Sequence, residues 1–345
     1  MRLVMTERFQ ILSLSGGGFR GLYTAQVLAD LEEKSGLPIA KHFDLLAGTS
    51  IGGILALAAA CEIPMALIVD LFCKHGHEIF QKRPFWQNIY GLRKSPYSSD
   101  GLRKLLSSDH LFGKRLLSDA KHPVIVPSIN YTKGIPVVFK TPHHDTIERD
   151  HVFSLVDVAL ATSAAPAYFP RHVMDSQQYV DGGLCANNPA LLGLHEADYY
   201  FNIPLDQIWM LSVGTLSSQR TVNAKTSRDG GAIDWAESNI KIQEFPKNII
   251  DLTLSSQQQM MQKMAEHRLQ KMKGRFIRID ETLTAKSVEH VGLDQVTPWA
   301  IETLIGNARY SSKVAIGQPD VRELLHHTAP SPKWYNGPNK NASVE

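Results

Sequence analysis

Ser50 is the residue in this sequence best suited to carry out chemistry, and it stands in Gly-Thr-Ser-Ile-Gly at 48–52. This G-x-S-x-G spacing is typical of a nucleophile elbow, a tight strand-to-helix turn that exposes the serine hydroxyl between two glycines, here Gly48 and Gly52. An earlier glycine run at 16–18 offers consecutive backbone N–H groups with little side-chain bulk. Such donors stabilise the oxyanion that forms when a serine attacks an ester carbonyl. The two segments together predict a serine acyl hydrolase.

Each of these segments follows an apolar run and precedes a helical pattern. The glycine run lies between the apolar stretch 9–14 and a helical pattern over 22–33, and the elbow lies between a buried strand over 43–47 and a buried helix over 51–61. Open α/β sheets bind their ligands at the carboxyl ends of their strands. The sequence therefore predicts an α/β sheet with both segments at one edge.

Asp181 is the candidate base, because a serine hydroxyl is a poor nucleophile until its proton is removed. It ends a short predicted strand and is followed by two glycines. Asp-Gly is also a common turn pair, so a turn aspartate is the alternative interpretation. A conventional triad with a histidine base is a second alternative, since the order Ser, Asp, His is that of the α/β-hydrolases. The histidines that follow Asp181 are His195, His267, His290, His326 and His327.

Four motifs together carry a resemblance to a known family. They are Gly-Gly-Gly-x-Arg-Gly at 16–21, Gly-Thr-Ser-x-Gly at 48–52, Ala-Thr-Ser-Ala-Ala-Pro at 161–166 and Asp-Gly-Gly at 181–183. In this order and spacing, over roughly residues 8–215, the chain resembles the patatin-like phospholipases.

The resemblance implies a fold, a site and a reaction. The fold is a three-layer α/β/α hydrolase with a mostly parallel central sheet and a C-terminal helical extension. The site is a dyad in which Ser50 is the nucleophile and Asp181 the proton acceptor, with no cofactor or metal for catalysis. The reaction is hydrolysis of fatty-acyl esters of membrane glycerophospholipids through an acyl-serine intermediate. The oxyanion hole would be built around Gly16, Gly17, Gly18 and Arg20.

A dinucleotide-binding fold is the rival interpretation of the glycine run. Gly16, Gly18 and Gly21 satisfy G-x-G-x-x-G between a strand and a helix. That fold also places an acid at the end of its second strand to bind the ribose. Here the second strand ends in the elbow, and Asp44 stands at its beginning. The pattern therefore favours the hydrolase.

Length and composition predict a single large core with additions. With 345 residues and 43% hydrophobic content, the chain can bury one big domain or one and a half. We expect a patatin-like core over 8–215, a loop and helical extension packed on it over 216–328, and a disordered tail over 329–345.

Charge, cysteines and hydropathy indicate where the protein works. A formal net charge of +2 gives no argument for nucleic acid, and the three cysteines form no metal-binding pattern. The N-terminal residues lack the apolar run of a secretory signal. The longest uncharged stretch, 45–61, falls short of the about 20 apolar residues of a membrane span. We expect a cytoplasmic protein that acts on the inner membrane surface.

Three further segments leave alternatives open. Residues 82–94 mix cations with aromatic side chains, which favours either a membrane contact or an ordinary insertion loop. A methionine stripe in a helical region over 246–273 indicates core or lid packing. A basic run over 267–278 is either a solvated face or a phosphate site.

The layout is also similar to the bacterial phospholipase effectors of cyclic-oligonucleotide anti-phage defence. This similarity implies an activator such as a cyclic dinucleotide of the cyclic GMP-AMP (cGAMP) type, whose site the residues do not identify. The alternatives are a constitutive or secreted-effector lipase and a catalytically silent lipid- or nucleotide-binding module.

Overall fold

The computed structural model describes residues 8–83, 94–216, 230, 235, 245–282 and 290–340. The strands are β1 (Phe9–Leu14), β2 (Leu45–Gly48), β3 (Val124–Asn130), β4 (Ile135–Lys140), β5 (His172–Met174), β6 (Gln177–Asp181), β7 (Ile208–Val213) and β8 (Arg275–Ile279). The α-helices are α1 (Gly21–Ser35), α2 (Ile51–Ala60), α3 (Met65–Ile79), α4 (Asp100–Leu106), α5 (Leu155–Thr162), α6 (Gly183–Ala186), α7 (Ala190–Tyr199), α8 (Phe245–Met272), α9 (Pro298–Gly317) and α10 (Pro319–His326).

The strands form one mixed sheet in the order β5-β6-β3-β2-β1-β7-β8, with β4 paired to β3. Strands β3, β2, β1, β7 and β8, neighbours in this order in the sheet, are all parallel. Strands β4 and β6 pair antiparallel with β3, and β5 pairs antiparallel with β6. The predicted α/β class with a mostly parallel sheet is confirmed, and the strand predicted over 43–47 begins two residues later.

Helices cover both faces of the sheet and make three layers. Along β1, Leu12 and Leu14 face a core shared with α1, α2, α3, α5 and α9, whereas Phe9 and Ile11 face a second core shared with α7 and α8. Successive side chains of a strand point to opposite faces. A strand buried on both faces carries apolar residues on both, which is why Phe9, Ile11, Leu12 and Leu14 do not alternate strictly with polar residues.

The sheet topology brings two strand ends together. Strand β3 pairs with β4 along one edge, from Ile125 to Asn130. Its other edge is shared, because Val124 and Ile125 pair with β2 while Ser128 to Asn130 pair with β6. Since β2 is parallel to β3 and β6 is antiparallel to it, the carboxyl ends of β2 and β6 face each other. The residues that follow β2 and end β6 are therefore neighbours.

The C-terminal part of the chain completes the sheet. Strand β8 pairs in parallel with β7, and α9 packs on α1. The sheet thus spans both the predicted core, 8–215, and the predicted extension, 216–328. The long predicted helix is present as α8, which starts and ends within a residue of its expected bounds.

The segment 329–340 is packed on the body of the protein. Trp334 is fully buried. The Asn336 side-chain amide donates to the carbonyl oxygens of Asp145 and Ile147 at 3.1 and 3.0 Å. The prediction of a disordered tail therefore does not hold for residues 329–340, because the buried Trp334 indole and the hydrogen bonds of the Asn336 side chain hold this segment against the body of the protein. Residues 341–345 lie outside the described part of the chain.

We expect Trp334→Ala to lower the free energy of unfolding by about 3–5 kcal/mol, the usual cost of deleting a buried indole. Urea denaturation followed by circular dichroism measures this. Trp299→Ala is the matched control, because the Trp299 side chain is 46% exposed and its loss should cost less than about 0.5 kcal/mol. Equal effects of the two substitutions would show that the tail does not contribute to stability.

Candidate active site

Ser50 occupies a sharp turn between β2 and α2. Its backbone has φ 54° and ψ −124°, in the left-handed half of conformational space. A non-glycine residue held there costs of order 1–3 kcal/mol and persists only where its surroundings fix it. This turn directs the serine side chain out of the strand and into a cavity.

The two elbow glycines are required by close backbone contacts. A Cβ atom on Gly48 would overlap the carbonyl oxygen of Gly52, and one on Gly52 would overlap the carbonyl oxygen of Leu14. The start of α2 can approach the ends of β1 and β2 this closely only without side chains. The sequence motif is thus a packing requirement of the turn.

The Ser50 hydroxyl donates a hydrogen bond of 2.7 Å to Oδ2 of Asp181. The other carboxylate oxygen, Oδ1, accepts the Gly183 N–H at 2.7 Å. Both side chains are buried. Burial raises the pKa of Asp181 to about 6, and the hydrogen bonds from Gly183 and Ser50 oppose that rise. The carboxyl group is therefore a stronger base than an exposed aspartate and is ionised at neutral pH.

Thr162 holds the elbow from the side. Its hydroxyl accepts the Ser50 N–H at 3.0 Å and donates to the Pro127 carbonyl oxygen at 2.7 Å. Because the single hydroxyl proton goes to Pro127, the oxygen lone pair remains directed at the Ser50 amide. The C-terminal end of α5 is in this way tied to both β3 and the turn that carries Ser50.

The glycine loop offers two amides to the cavity. The Gly16 N–H donates to the Asn187 carbonyl oxygen at 2.9 Å, so this amide is occupied. The amides of Gly17 and Gly18 have no acceptor among the described residues, and all three glycines line the cavity together with Ser50. The expectation that the Gly16 amide serves an oxyanion is therefore corrected: its donor is used to position the loop.

Arg20 lies beneath the glycine loop and lines the same cavity. Its Nη1 donates to the Leu216 carbonyl oxygen at 3.4 Å. Burial lowers the pKa of the guanidinium, and the carboxylates of Asp251 and Asp280 oppose that effect. Arg20 thus brings a positive charge, held by acidic neighbours, close to the loop amides.

The cavity has a volume of about 380 Å³ and joins a polar end to an apolar one. Ser50, Asp181 and the glycine loop form the polar end. The rest is lined mainly by aliphatic and aromatic side chains of α2, α3, α4 and the segments that follow α3, α4 and α5, which suit an acyl chain. They include Ile54, Ile68, Leu71, Phe72, Ile79, Phe80, Leu102, Leu105, Leu106, Leu111 and Phe169.

Helix α8 is joined to the site through Asn187. Gln257 accepts the Asn187 backbone N–H, and Gln258 accepts a hydrogen from the Asn187 side-chain amide, both at 2.8 Å. The Asn187 carbonyl in turn accepts the Gly16 N–H. The sequence alone assigned these glutamines no role, although three consecutive glutamines at 257–259, directly before the methionine stripe, are an unusual polar run in this helix.

The alternative bases are not at this site. No histidine lines the described part of the cavity wall. His327 contacts Asp44 at 3.1 Å, and His195 stacks on Tyr199 with ring centroids 5.4 Å apart. A ribose-binding acid is likewise missing at the end of β2, where the elbow stands.

The structure describes the segments 82–94 and 267–278 to different extents. Of the predicted membrane contact at 82–94, residues 84–93 lie outside the described part of the chain. Within the basic run, Arg278 donates to Asp280 and to Ser212, both at 2.7 Å, so its charge is used inside the fold. In the described ranges, no cluster of His, Cys, Asp or Glu side chains is placed to hold a metal ion, and no helix has the length and hydropathy to cross a bilayer.

The fold and the site define a protein class. The family model of the patatin-like phospholipases matches residues 12–194, from β1 into α7, which is more than half of the chain. This chain belongs to the patatin-like phospholipase family.

Bacterial relatives match over nearly the full length. A Pseudomonas aeruginosa protein named cGAMP-activated phospholipase is 39% identical over 336 residues, covering 96% of each chain. A Vibrio cholerae protein of the same name is 32% identical over 331 residues, covering 88% of this chain and 90% of the relative. An Escherichia coli protein of that name is 29% identical over 331 residues, covering 90% of each.

We expect Thr162→Val to lower the free energy of unfolding by about 1–3 kcal/mol, because it leaves the buried Ser50 N–H and Pro127 carbonyl without partners. Thr162→Ser keeps the hydroxyl and should lose less than half as much. Chemical denaturation of both variants and the wild type measures the difference. Equal losses would mean that the methyl packing of Thr162, and not its hydroxyl, holds the elbow.

Proposed function

We propose that this protein is a phospholipase A-type serine hydrolase that releases fatty acids from membrane glycerophospholipids. The observation that carries the proposal is the 2.7 Å hydrogen bond from the Ser50 hydroxyl to a buried Asp181 carboxylate, at the polar end of an apolar cavity. Family membership supports the same substrate class. The Ser50–Asp181 pair acts as a dyad, with Asp181 doing the work that a histidine does in a triad.

The reaction follows from these positions. The Ser50 oxygen attacks the ester carbonyl carbon while its proton passes to Asp181. The developing oxyanion is stabilised by the Gly17 and Gly18 amides, with the Arg20 charge nearby. The lysophospholipid alkoxide leaves with the proton from Asp181, and an acyl-serine remains. Water then attacks this ester, gives a proton to Asp181, and the collapse of the second intermediate returns the proton to Ser50 and frees the fatty acid.

The raised pKa of Asp181 matches its role as a base. A carboxylate with an ordinary pKa near 4 is a weak proton acceptor, and a value closer to the working pH improves proton transfer. Burial supplies this improvement at a cost in stability. The folded-state pKa lies above the unfolded one, so the protein loses stability as the pH rises from about 4 through about 6.

A cyclic dinucleotide of the cGAMP type controls this activity. The support is the name shared by three relatives that align over about 90% or more of their length. Control of this kind also has a physical reason, because an unregulated phospholipase would hydrolyse the membrane of its own cell. We place the protein at the inner membrane surface as a defence effector. A constitutive lipase with the same site is the competing function.

The rate of hydrolysis should rise with pH until Asp181 is ionised. We expect kcat/KM for a soluble ester to increase about tenfold per pH unit below pH 6 and to level off above it, since only the carboxylate accepts the serine proton. Asp181→Asn should lower kcat/KM by about 10²–10⁴ at pH 8 and remove this titration.

The same variant should be at least as stable as the wild type at pH 8, because a neutral amide replaces a buried charge, and denaturation at that pH is the folding control. A wild-type profile that is flat between pH 5 and 7 would contradict the role of Asp181.

Fatty-acid release from phospholipid vesicles should require cGAMP and Ser50. We expect the wild type to be active with cGAMP and nearly inactive without it, and Ser50→Ala to be inactive in both cases. Thin-layer chromatography of the released fatty acid measures this, with other cyclic dinucleotides as ligand controls. Equal wild-type activity without any nucleotide would leave the phospholipase and remove its control.

A further inference from the structure

Helix α8 has an inner face that belongs to the body of the protein. Residues four apart lie on one side of an α-helix. Ile250, Leu254 and Gln258 follow this spacing and line the catalytic cavity. About two and three turns after Gln258, Ala265 and Leu269 are fully buried against the sheet. The first half of α8 therefore covers the cavity, and the second half anchors the helix.

The opposite, outer face of α8 carries exposed apolar side chains. Ile249, Leu252, Met260 and Met264 are 37%, 42%, 53% and 42% exposed. At 100° per residue, these four positions fall within an arc of about 120°, whose centre is turned about 140° from the mean direction of Ile250, Leu254 and Gln258. Met264 lies at the edge of this arc. The interpretation of the methionine stripe as core packing is therefore wrong for Met260 and Met264.

Positive charge is concentrated in the C-terminal half of the same helix and in the residues that follow it, up to Arg275 of β8. Residues 260–275 contain five lysines and arginines against a single acid, Glu266. The five side chains are exposed, and none of them forms an ion pair with another described residue, although Arg275 lies over the Trp209 ring at 5.8 Å from its centroid. They are Lys263, Arg268, Lys271, Lys273 and Arg275.

We propose that the outer face of α8, defined by Ile249, Leu252, Met260 and Met264, docks on the surface of an anionic phospholipid bilayer together with the cations of 263–275 on the end of the helix and just beyond it. Apolar side chains along one face of a helix, flanked by lysines and arginines, suit insertion at the level of the head groups. Exposed cations without an ion-pair partner among the described residues are attracted by the negative surface potential of anionic lipid. The inference rests on the proposed function, since it places the bilayer against the helix that covers the Ser50 cavity.

A second copy of the chain is a poorer partner for this face. In a two-fold contact the same surface of both copies meets itself. The five cations of each copy would then lie against or near those of the other, and like charges across a contact are unfavourable. An anionic bilayer satisfies both the apolar stripe and the charge.

Vesicle binding tests the docking surface without catalysis. The full chain with Ser50→Ala, which leaves the vesicles intact, is sedimented with phosphatidylglycerol–phosphatidylcholine vesicles, with and without cGAMP. We expect Lys263→Glu combined with Lys271→Glu to weaken binding at least ~25-fold, since each cation near an anionic surface is worth roughly a factor of five. Lys34→Glu with Lys313→Glu, at exposed positions on α1 and α9, is the control and should change binding little.

The apolar stripe is tested in the same way. Replacement of its four apolar residues by serine should also weaken binding, whereas Val152→Ser with Val173→Ser, at exposed apolar positions elsewhere, should not. In the Ser50 protein, the stripe variant should hydrolyse a soluble short-chain ester like the wild type while losing activity on vesicles.

Two results would overturn the docking surface. One is vesicle binding that neither the charge variant nor the stripe variant weakens. The other is a wild-type protein that elutes as a dimer in size-exclusion chromatography while these variants elute as monomers, which would assign the face to a second copy. Failure of the proposed function gives a different result, namely no ester hydrolysis by the wild type with cGAMP, whatever the variants do in the binding assay.

Discussion

The site depends on one topological constraint, the meeting of β2 and β6 end to end along the same edge of β3. Parallel pairing of β2 and antiparallel pairing of β6 direct their carboxyl ends toward each other. A nucleophile that follows one strand and an acid that ends the other are then within hydrogen-bond distance, at 2.7 Å. No third residue is needed to bridge them, because the sheet itself fixes their separation. This geometry supports the two-residue catalytic unit that we propose.

The same arrangement buries the acid, and burial sets its chemistry. Removal of water raises the pKa of Asp181 to about 6, and the Gly183 amide keeps the carboxylate oriented. Ser50 adds a strained backbone, which the Thr162 hydroxyl and the elbow glycines hold in place. Both features cost stability, and they persist because a sheet covered on two faces supplies a large core around them. Helix α8 covers the cavity and is joined to the glycine loop through its hydrogen bonds with Asn187.

Much of the fold and of the candidate site is readable from the sequence, for local reasons. The elbow at 48–52 is visible because close packing demands glycine on both sides of the serine, and buried parallel strands such as 9–14 are visible because both their faces are apolar. The occupied Gly16 amide was not predictable, since its acceptor is a backbone carbonyl of residue 187, distant in sequence. The buried tail was missed because a single tryptophan among Pro, Asn and Ser outweighs a composition typical of disorder. The exposed outer face of α8 could not be predicted from the sequence, because only the structure shows which methionines of the helix are exposed.

Covalent labelling with a fluorophosphonate, followed by peptide mapping, tests the central claim most directly. With cGAMP present at pH 8, the account predicts that the phosphonyl group is found on Ser50 and that labelling is slower in Asp181→Asn by about the factor lost in hydrolysis, of order 10²–10⁴. Both results follow only if Asp181 removes the proton from Ser50. A label on another residue in an inactivated protein, or equal labelling rates in the wild type and Asp181→Asn, would contradict the account.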